Sequence, residues 1–307
     1  MTMAVEPQNS QGTVTLIHHA ANRNHSHPAG SISAIKSCLE AGAWAVEIDI
    51  LPITDGSFAL LHDQNLDETT NGKGNASTGR REDLELLRYR QDGALTDEKV
   101  GFLDEVIPLV AQNQSLGKLQ LDLKPYTALT PALIQKIMDL ISPVKKCVQI
   151  SSIADWSVRT LHHFSPELSL GFDPLLYLDV VDHEPRPATV PPFRVGAYGL
   201  RDDHPLSAYI WGSKRDYFWA RAEALFTQVV PGCEWFIRAE TLLAAYENGF
   251  DWVEFLHERS CKVDAWTLEP QGESAKMAEK LAALGVDEIT TNDAVGMAKI
   301  LTRPCRV

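Results

Sequence analysis

The sequence is poor in several features that would assign it to a well-known class of protein. Its five cysteines are scattered without a CxxC pair, which disfavours a disulfide framework or a zinc cluster and indicates reduced thiols in a cytosolic protein. Basic residues are also few, since 28 Lys and Arg stand against 41 Asp and Glu and the formal net charge is −13. This balance argues against binding to nucleic acid or to an anionic membrane surface.

Long apolar runs and nucleotide-binding motifs are absent as well. No run approaches the roughly 18 apolar residues of a membrane helix, and the N-terminus lacks the basic start and apolar stretch of a signal peptide. We therefore expect a cytoplasmic protein with no stable membrane association. The absence of GxGxxG and GxxxxGK[ST] motifs disfavours a nucleotide-binding doubly wound sheet. The oligomeric state is left open.

Short apolar runs alternate with helical patterns along the 307 residues. Alternation of this kind, repeated about eight times, predicts an α/β fold, a (β/α)8 TIM barrel in a single domain. Residues 1–12 are expected to form a tail, and residues 174–232 a long loop plus an aromatic helix that is a candidate lid. The predicted strands are Val14–His18, Ala45–Leu51, Phe58–His62, Lys118–Lys124, Cys147–Ser151, Leu168–Phe172, Glu234–Arg238, Lys262–Leu268 and Glu288–Thr291. The predicted helices are Ser31–Ala41, Asp83–Tyr89, Phe102–Ala111, Pro131–Ile141, Asp155–Phe164, Ser207–Val229, Thr241–Arg259, Gly272–Leu284 and Ala294–Leu301.

Polar residues recur where the predicted strands end, which is where barrel enzymes carry their chemistry. Glu47, Asp49 and Asp122 offer three carboxylates from two strands, and hard oxygen ligands favour Mg²⁺ or Ca²⁺ over zinc. His18 and His62 are candidates for a general base and a general acid. A lone polar residue at a strand end is usually only loop-facing, but these residues together suit attack on a phosphodiester.

Several segments, in order, resemble the glycerophosphodiester phosphodiesterase superfamily, which also includes sphingomyelinase D-like enzymes. These segments are LIHHA, AGAWAVEIDI, ITDGSFALLHD, TTNGKG, LDLK, DAWTLE and GVDEITTND. The resemblance implies a barrel fold and a divergent member of the superfamily. It also implies that His18 and His62 act as the acid–base pair and that Glu47, Asp49 and Asp122 hold the metal.

The remaining implied roles concern the substrate. Lys124 would contact phosphate, Trp266 would line the pocket, and the reaction would pass through a cyclic phosphodiester. The family's usual His-Arg-Gly is His18-His19-Ala20 here, so the usual arginine is missing, and Arg23 or Arg238 is a candidate replacement. His19 is then expected to contact the substrate, and His25 and His27 to lie in a loop near the mouth.

Two further departures surround the expected substrate site. The family's Pro-Glu-Asn-Thr is represented by Pro28-Ala29-Gly30-Ser31, and the arginine that usually precedes the two threonines is Glu68. We therefore expect a small soluble phosphodiester, either a glycerophosphodiester or a sugar-phosphate diester such as an agrocinopine-type opine. Three alternatives stay open: a phosphodiester lyase or transferase, a weakly catalytic binding protein, and, ranked last, a glycosidase.

Overall fold

The computed structural model describes residues 8–9, 12–23, 25–125, 127–178 and 213–301. The strands are β1 (Gln8–Asn9), β2 (Gly12–Thr13), β3 (Thr15–His18), β4 (Ala45–Pro52), β5 (Phe58–Ala59), β6 (Arg88–Gln91), β7 (Ala94–Lys99), β8 (Lys118–Leu123), β9 (Val148–Ser152), β10 (Ser169–Phe172), β11 (Glu234–Arg238), β12 (Val263–Leu268) and β13 (Glu288–Thr291). The helices are α1 (Ile32–Glu40), α2 (Leu66–Thr69), α3 (Arg81–Leu84), α4 (Leu103–Gln112), α5 (Pro131–Ile141), α6 (Asp155–Phe164), α7 (Lys214–Gln228), α8 (Ala239–Glu247), α9 (Trp252–His257), α10 (Gly272–Leu284) and α11 (Ala294–Leu301).

Eight parallel strands close into a barrel in the order β3, β4, β8, β9, β10, β11, β12 and β13, and β13 pairs again with β3. Helices connect successive barrel strands, so the predicted (β/α)8 barrel is confirmed. The outward side chains of the strands pack with the helices into one large apolar core. None of the helices in the described ranges is long and apolar enough to cross a bilayer.

Local signals in the sequence explain where several helices begin and end. The Ser31 hydroxyl accepts a hydrogen bond from the Ala34 N–H at 3.2 Å and caps α1. Thr130 caps α5 in the same way, directly before Pro131. Gly285 ends α10 in the left-handed conformation, with φ 92°, that glycine adopts readily.

Residues 53–102 form an insertion between β4 and the helix α4. It contains β5, α2, α3 and the antiparallel hairpin β6–β7. A separate small apolar cluster, which includes Ile53, Leu66 and Tyr89, holds it together. Its β5 pairs antiparallel with the end of β4, so the insertion sits beside the barrel end that carries the polar residues.

Four expected elements differ from the structure. The helix predicted at Asp83–Tyr89 is wrong, because the chain forms α3 and then enters β6, where the Tyr89 hydroxyl donates to the Leu60 carbonyl at 2.7 Å. Thr241–Arg259 is two helices, broken at Gly249 with φ 85°. Only Phe58–Ala59 of the run Phe58–His62 is a strand, and part of the expected tail forms β1 and β2.

The segment predicted as a loop and candidate lid lies largely outside the described residues, which resume at residue 213. The described part of its aromatic helix is α7. Tyr217 and Phe218 are fully buried in the apolar core, whereas Trp219 is 43% exposed. Helix α7 therefore contributes to core packing, and none of its residues lines the cavity described below.

Candidate active site

A cavity of about 240 Å³ opens at the end of the barrel where the strands finish, the end that carries the active site in TIM barrels. Side chains from both the barrel strands and the loops after them form its walls. The polar and aromatic lining residues are His19, Glu47, Asp49, His62, Gln120, Asp122, Lys124, Ser151, Asp173, Phe236, Trp266, Thr267 and Thr290. This lining brings residues from distant parts of the chain into one small space, whose walls also include Leu123, Pro125, Ile153 and Leu175.

Three carboxylates share this cavity. Glu47 and Asp49 are alternate residues of β4, and Asp49 pairs in register with Asp122 of the neighbouring β8. Because side chains alternate across a strand, all three point into the barrel. One oxygen atom from each lies within 4.8 Å of the others. The Ala20 N–H donates to Glu47 Oε2 at 2.7 Å and holds this side chain against the turn after β3.

Lys124 ties two of these carboxylates together. Its Nζ lies 2.6 Å from Asp49 Oδ1 and 2.7 Å from Asp122 Oδ2. Burial acts to lower the pKa of Lys124, but the charges of Asp122 and Asp49 outweigh it and raise that pKa well above its ordinary value. Burial likewise acts to raise the pKa of Asp49, and the charge of Lys124 chiefly reverses this. Lys124 is therefore a fixed positive charge.

The remaining charge in this group fits a divalent cation. Three carboxylates and one ammonium leave an excess of negative charge, and burial followed by the Asp49 and Asp122 charges raises the pKa of Glu47 well above its ordinary value. Oxygen donors with no thiolate match Mg²⁺ or Ca²⁺. The predicted ligands Glu47, Asp49 and Asp122 thus form a possible acidic metal site, and they would hold such an ion.

The two adjacent histidines lie on opposite sides of the barrel wall. Ile17 pairs in register with Ala45, and His18 with Val46. Ile17 and Ala45 pack inside the barrel with Phe236, so His18 points outward, where its Nδ1 lies 3.3 Å from the Asn22 carbonyl. Burial lowers the pKa of His18. His19, one residue later, lines the cavity, and His18 does not.

A hydrogen-bonded chain orients the His19 ring. Its Nδ1 lies 2.9 Å from Asn292 Oδ1, and the Asn292 amide Nδ2 donates to Glu269 Oε1 at 2.6 Å. Because the amide nitrogen is bound to Glu269, its oxygen faces His19 and accepts the Nδ1 proton. His19 Nε2 is then left with its lone pair.

His62 has a charged partner instead of an amide. Its Nδ1 lies 2.8 Å from Asp63 Oδ1, and this hydrogen bond is the main cause of a raised pKa for His62. Burial and Lys124 oppose the rise, while Asp49 adds to it. His62 therefore favours the protonated form more than a free histidine does.

The predicted substrate contacts divide into two groups. Trp266 and Lys124 line the cavity, whereas Arg23 lies at a separate small cleft with Asn22 and His27. Arg238 is not part of the cavity lining, but its Cζ lies 5.9 Å from the Trp266 ring centre, with Glu240 3.7 Å from its Nε. His25, as expected, is exposed in the loop.

Several site residues were not predicted as such. Asp63 follows His62 directly, and Asn292 follows the last strand, so each had a positional signal in the sequence. Ser151 donates to Asp122 Oδ1 at 3.1 Å, and Gln120 donates in turn to Ser151. Asp173, just beyond β10, lines the cavity as a fourth carboxylate outside the group of three. No motif distinguished it.

The chain matches known proteins over most of its length. The model of the glycerophosphoryl diester phosphodiesterase family matches residues 18–295. The chain belongs to this family. Membership confirms the resemblance found in the sequence and assigns the protein to the phosphoric diester hydrolases.

Individual relatives agree with this assignment. A glycerophosphodiester phosphodiesterase of Caldanaerobacter subterraneus subsp. tengcongensis is 28% identical over 169 residues, which cover 54% of this chain and 67% of that protein. Another, of Bacillus altitudinis, is 29% identical over 166 residues, or 52% of this chain and 64% of that protein. The match therefore spans about two thirds of the length of these relatives. The structure of an Oleispira antarctica phosphodiesterase in complex with the product sn-glycerol-3-phosphate has the same fold, with a TM-score of 0.63, 18% identity and coverage of 94% of this chain and 97% of that one.

Proposed function

We propose that the protein is a metal-dependent phosphodiesterase that cleaves a small soluble phosphodiester with His19 and His62 as its acid–base pair. The observation that carries this proposal is that both imidazoles line the same cavity as the three carboxylates. Family membership supports the reaction class. The names of the relatives support a glycerophosphodiester, and a sugar-phosphate diester is the second substrate class.

His19 is the better candidate for the general base than His18, which sequence reasoning favoured. Asn292 accepts the Nδ1 proton of His19, so Nε2 has the free lone pair that a base needs. The Asn292 amide carries no charge, unlike the Asp63 carboxylate behind His62. His18 faces the outer side of the barrel wall and does not line the cavity.

His62 is the complementary general acid. Its Asp63 partner raises the pKa of the imidazole, so the ring keeps its proton to a higher pH than a free imidazole does. The two histidines thus differ in the residue behind them, an amide for one and a carboxylate for the other. The amide fixes the tautomer of His19, and the carboxylate favours the protonated form of His62, which suits an acid–base pair.

The proposed reaction uses a substrate hydroxyl next to the phosphate. This hydroxyl gives its proton to His19 Nε2 and attacks phosphorus, the bond to the leaving alcohol breaks, and the leaving oxygen takes a proton from His62. The product is a cyclic phosphodiester, which water opens with the two histidines in exchanged roles. When bound by Glu47, Asp49 and Asp122, a divalent ion supplies positive charge that offsets charge developing on the phosphate oxygens.

Two cations are candidates for further phosphate contacts. Lys124 supplies a fixed charge beside the metal ligands, and it also holds Asp49 and Asp122 in place. Arg238 lies near Trp266 and is the better replacement for the missing family arginine, because Arg23 lies at a different cleft. An arginine fork is well matched to two phosphate oxygens.

The test is ³¹P NMR of purified protein with a panel of glycerophosphodiesters and sugar-phosphate diesters, in Mg²⁺, in Ca²⁺ and in EDTA. We expect a phosphomonoester signal that requires the metal. Accumulation of a cyclic phosphate instead would identify a lyase. The proposal would be abandoned if every diester remained intact in both metals, which would favour a binding protein.

A further inference from the structure

Two of the cysteines lie side by side at the barrel end opposite the cavity. Cys233 directly precedes β11, and Cys261 comes two residues before β12. The two strands are parallel neighbours, and Trp235 pairs in register with Val263. The Trp235 N–H donates to the Lys262 carbonyl at 2.9 Å, so the pairing extends to the residue after Cys261. The same register, continued two residues towards the strand starts, sets Cys233 opposite Cys261.

Both cysteine side chains point to the outer side of the barrel wall. Each stands two residues before a side chain, Trp235 or Val263, that packs in the large apolar core outside the strands, and alternate residues of a strand share a face. Cys233 and Cys261 belong to the same core, with 2% and 3% of their surface exposed. Both are free thiols. The pair is therefore two neighbouring buried thiols on one face of adjacent strands.

The two sulfur atoms also act on each other's surroundings. Burial raises the pKa of the Cys261 thiol, and the N–H of Gly232, the residue directly before Cys233, opposes this rise. Burial, then the neighbouring Cys261, raises the pKa of the Cys233 thiol to about 12. The Cys261 sulfur thus lies against the chain that leads into Cys233, as the register of the strands requires.

The spacing of adjacent strands fits a disulfide bond. Neighbouring strands lie about 4.8 Å apart, and the Cα atoms of a disulfide are usually about 4.4–6.8 Å apart. The other described cysteines have different surroundings. Cys38 Sγ donates to the Ala21 carbonyl at 3.0 Å, and Cys147 Sγ donates to the Val144 carbonyl at 3.2 Å.

We propose that Cys233 and Cys261 form a dithiol pair that closes reversibly into a disulfide between the starts of β11 and β12. The co-reactant is a low-molecular-weight disulfide such as oxidised glutathione. One protein thiol loses its proton and attacks a sulfur of that disulfide, which releases one small thiolate. The second protein thiol then loses its proton, attacks the mixed disulfide and releases the other thiolate. Two protein thiols are oxidised, one small disulfide is reduced to two thiols, and the two protons pass to the released thiolates.

Oxidation would stabilise the barrel because of the chain that the bond encloses. The segment between Cys233 and Cys261 contains most of β11 and both helices α8 and α9. Closing a loop of this length restricts the unfolded chain. Because burial keeps both thiols protonated, exchange in the closed fold is slow, and the equilibrium is the quantity to measure.

The test incubates the full chain with oxidised and reduced glutathione in graded ratios, in urea just below the unfolding transition so that local opening admits the oxidant. Acid stops the exchange, and N-ethylmaleimide then labels the free thiols in denaturant for mass analysis. We expect the oxidised wild type to carry two fewer labels, with its Cys233 and Cys261 peptides joined, and dithiothreitol to restore both labels. The melting temperature of the oxidised form should be about 5 °C higher or more.

Cys38→Ala is the matched control, because Cys38 is also fully buried but its sulfur donates to a backbone carbonyl. We expect it to keep the loss of two labels, whereas Cys233→Ala and Cys261→Ala should form no intramolecular bond. The peptide linkage is determined on wild type, so a variant that fails to fold does not affect the conclusion. A bond to Cys147, glutathione adducts in place of the bond, or a full set of labels in oxidised glutathione alone would overturn the pair.

Discussion

Strand β8 carries a buried lysine at each end, and each lysine bridges two carboxylates. At the start of the strand, Lys118 Nζ lies 2.9 Å from Glu234 and 2.5 Å from Glu288. Just after its end, Lys124 Nζ lies 2.6 Å from Asp49 and 2.7 Å from Asp122. The two groups are alike in residue type and distance, yet only the second lines the cavity.

The two ends differ in charge balance and in access. At the lower end, the start of the strand, two carboxylates face one lysine, and burial and then Glu234 raise the pKa of Glu288 well above its ordinary value. The ring of Phe236, 5.3 Å from Lys118 Nζ, covers this group from within the barrel. At the upper end, Glu47 adds a third carboxylate and the cavity opens to it. A buried ion pair is thus weak evidence of function, whereas surplus charge beside a cavity is stronger evidence.

The largest expected effect concerns the upper end, where the cavity opens, and tests which of the two adjacent histidines acts there. His19→Ala should lower kcat for a phosphodiester by about 10²–10⁴-fold, the usual contribution of a general acid or base. His18→Ala is the matched control one residue away, and it should change kcat only a few-fold because His18 faces outward. Steady-state kinetics of both variants decide the matter. If His18→Ala had the larger loss, the orientation argument would fail.

The next prediction sets the two lysines against each other. Lys118→Met should destabilise the protein by about 3–5 kcal/mol, because it leaves buried carboxylates without their partner. Lys124→Met should cost less stability, since water in the cavity can solvate Asp49 and Asp122, but it should abolish activity. Urea unfolding and kinetics on both variants check this pair. Similar losses of stability in the two variants would show that water in the cavity does not reduce the cost of removing Lys124.

A third prediction concerns the pH dependence of stability that arises from Asp264, a buried carboxylate between the two lysine groups. Burial, then Glu234, raises the pKa of Asp264 from an ordinary value of 3.8 to about 7. Between these two values the folded state keeps a proton that the unfolded state has lost, so stability falls as pH rises through this window. Asp264→Asn removes this pH-dependent contribution. The free energy of unfolding of the variant, relative to that of wild type, should therefore be about 2–4 kcal/mol higher at pH 7.5 than at pH 4. Urea unfolding at both pH values measures the gain, and parallel profiles would refute it.

The smallest expected effect concerns the ring of Phe236, which lies between the lysine groups at the two ends of β8. Gly171→Ala should destabilise the protein by about 1–3 kcal/mol, because the new Cβ would meet Phe236 Cε2 at 2.3 Å and Ser151 Cβ at 3.0 Å. Phe236→Leu in the same chain should restore part of this loss by making room. Thermal unfolding of the single and double variants is the measurement. Simple additivity of the two changes would mean that the contact does not matter.

Much of the site could be predicted because a single strand, β4, carries two of its three clustered carboxylates. The alternation in AVEIDIL puts Glu47 and Asp49 on one face wherever the strand lies, and Asp122 follows from the next barrel strand. His18 and His19 could not be separated in this way. The strand β3 has only four residues and ends at His18, which leaves open which face is inside, and the register with β4 decides it.

By itself, the sequence determined the barrel, the family and the kinds of chemical group at the site, because periodicity and short motifs are local properties. Only the tertiary structure decided which histidine faces the cavity and what stands behind it. The Asn292 that orients His19 is 273 residues away along the chain, and closure of the barrel between β13 and β3 brings the two together. Strand pairing also brings Asp173 to the cavity, because β10, which precedes it, lies between β9 and β11 in the barrel. Such contacts depend on how strands pair, and strand pairing is not encoded in any one segment.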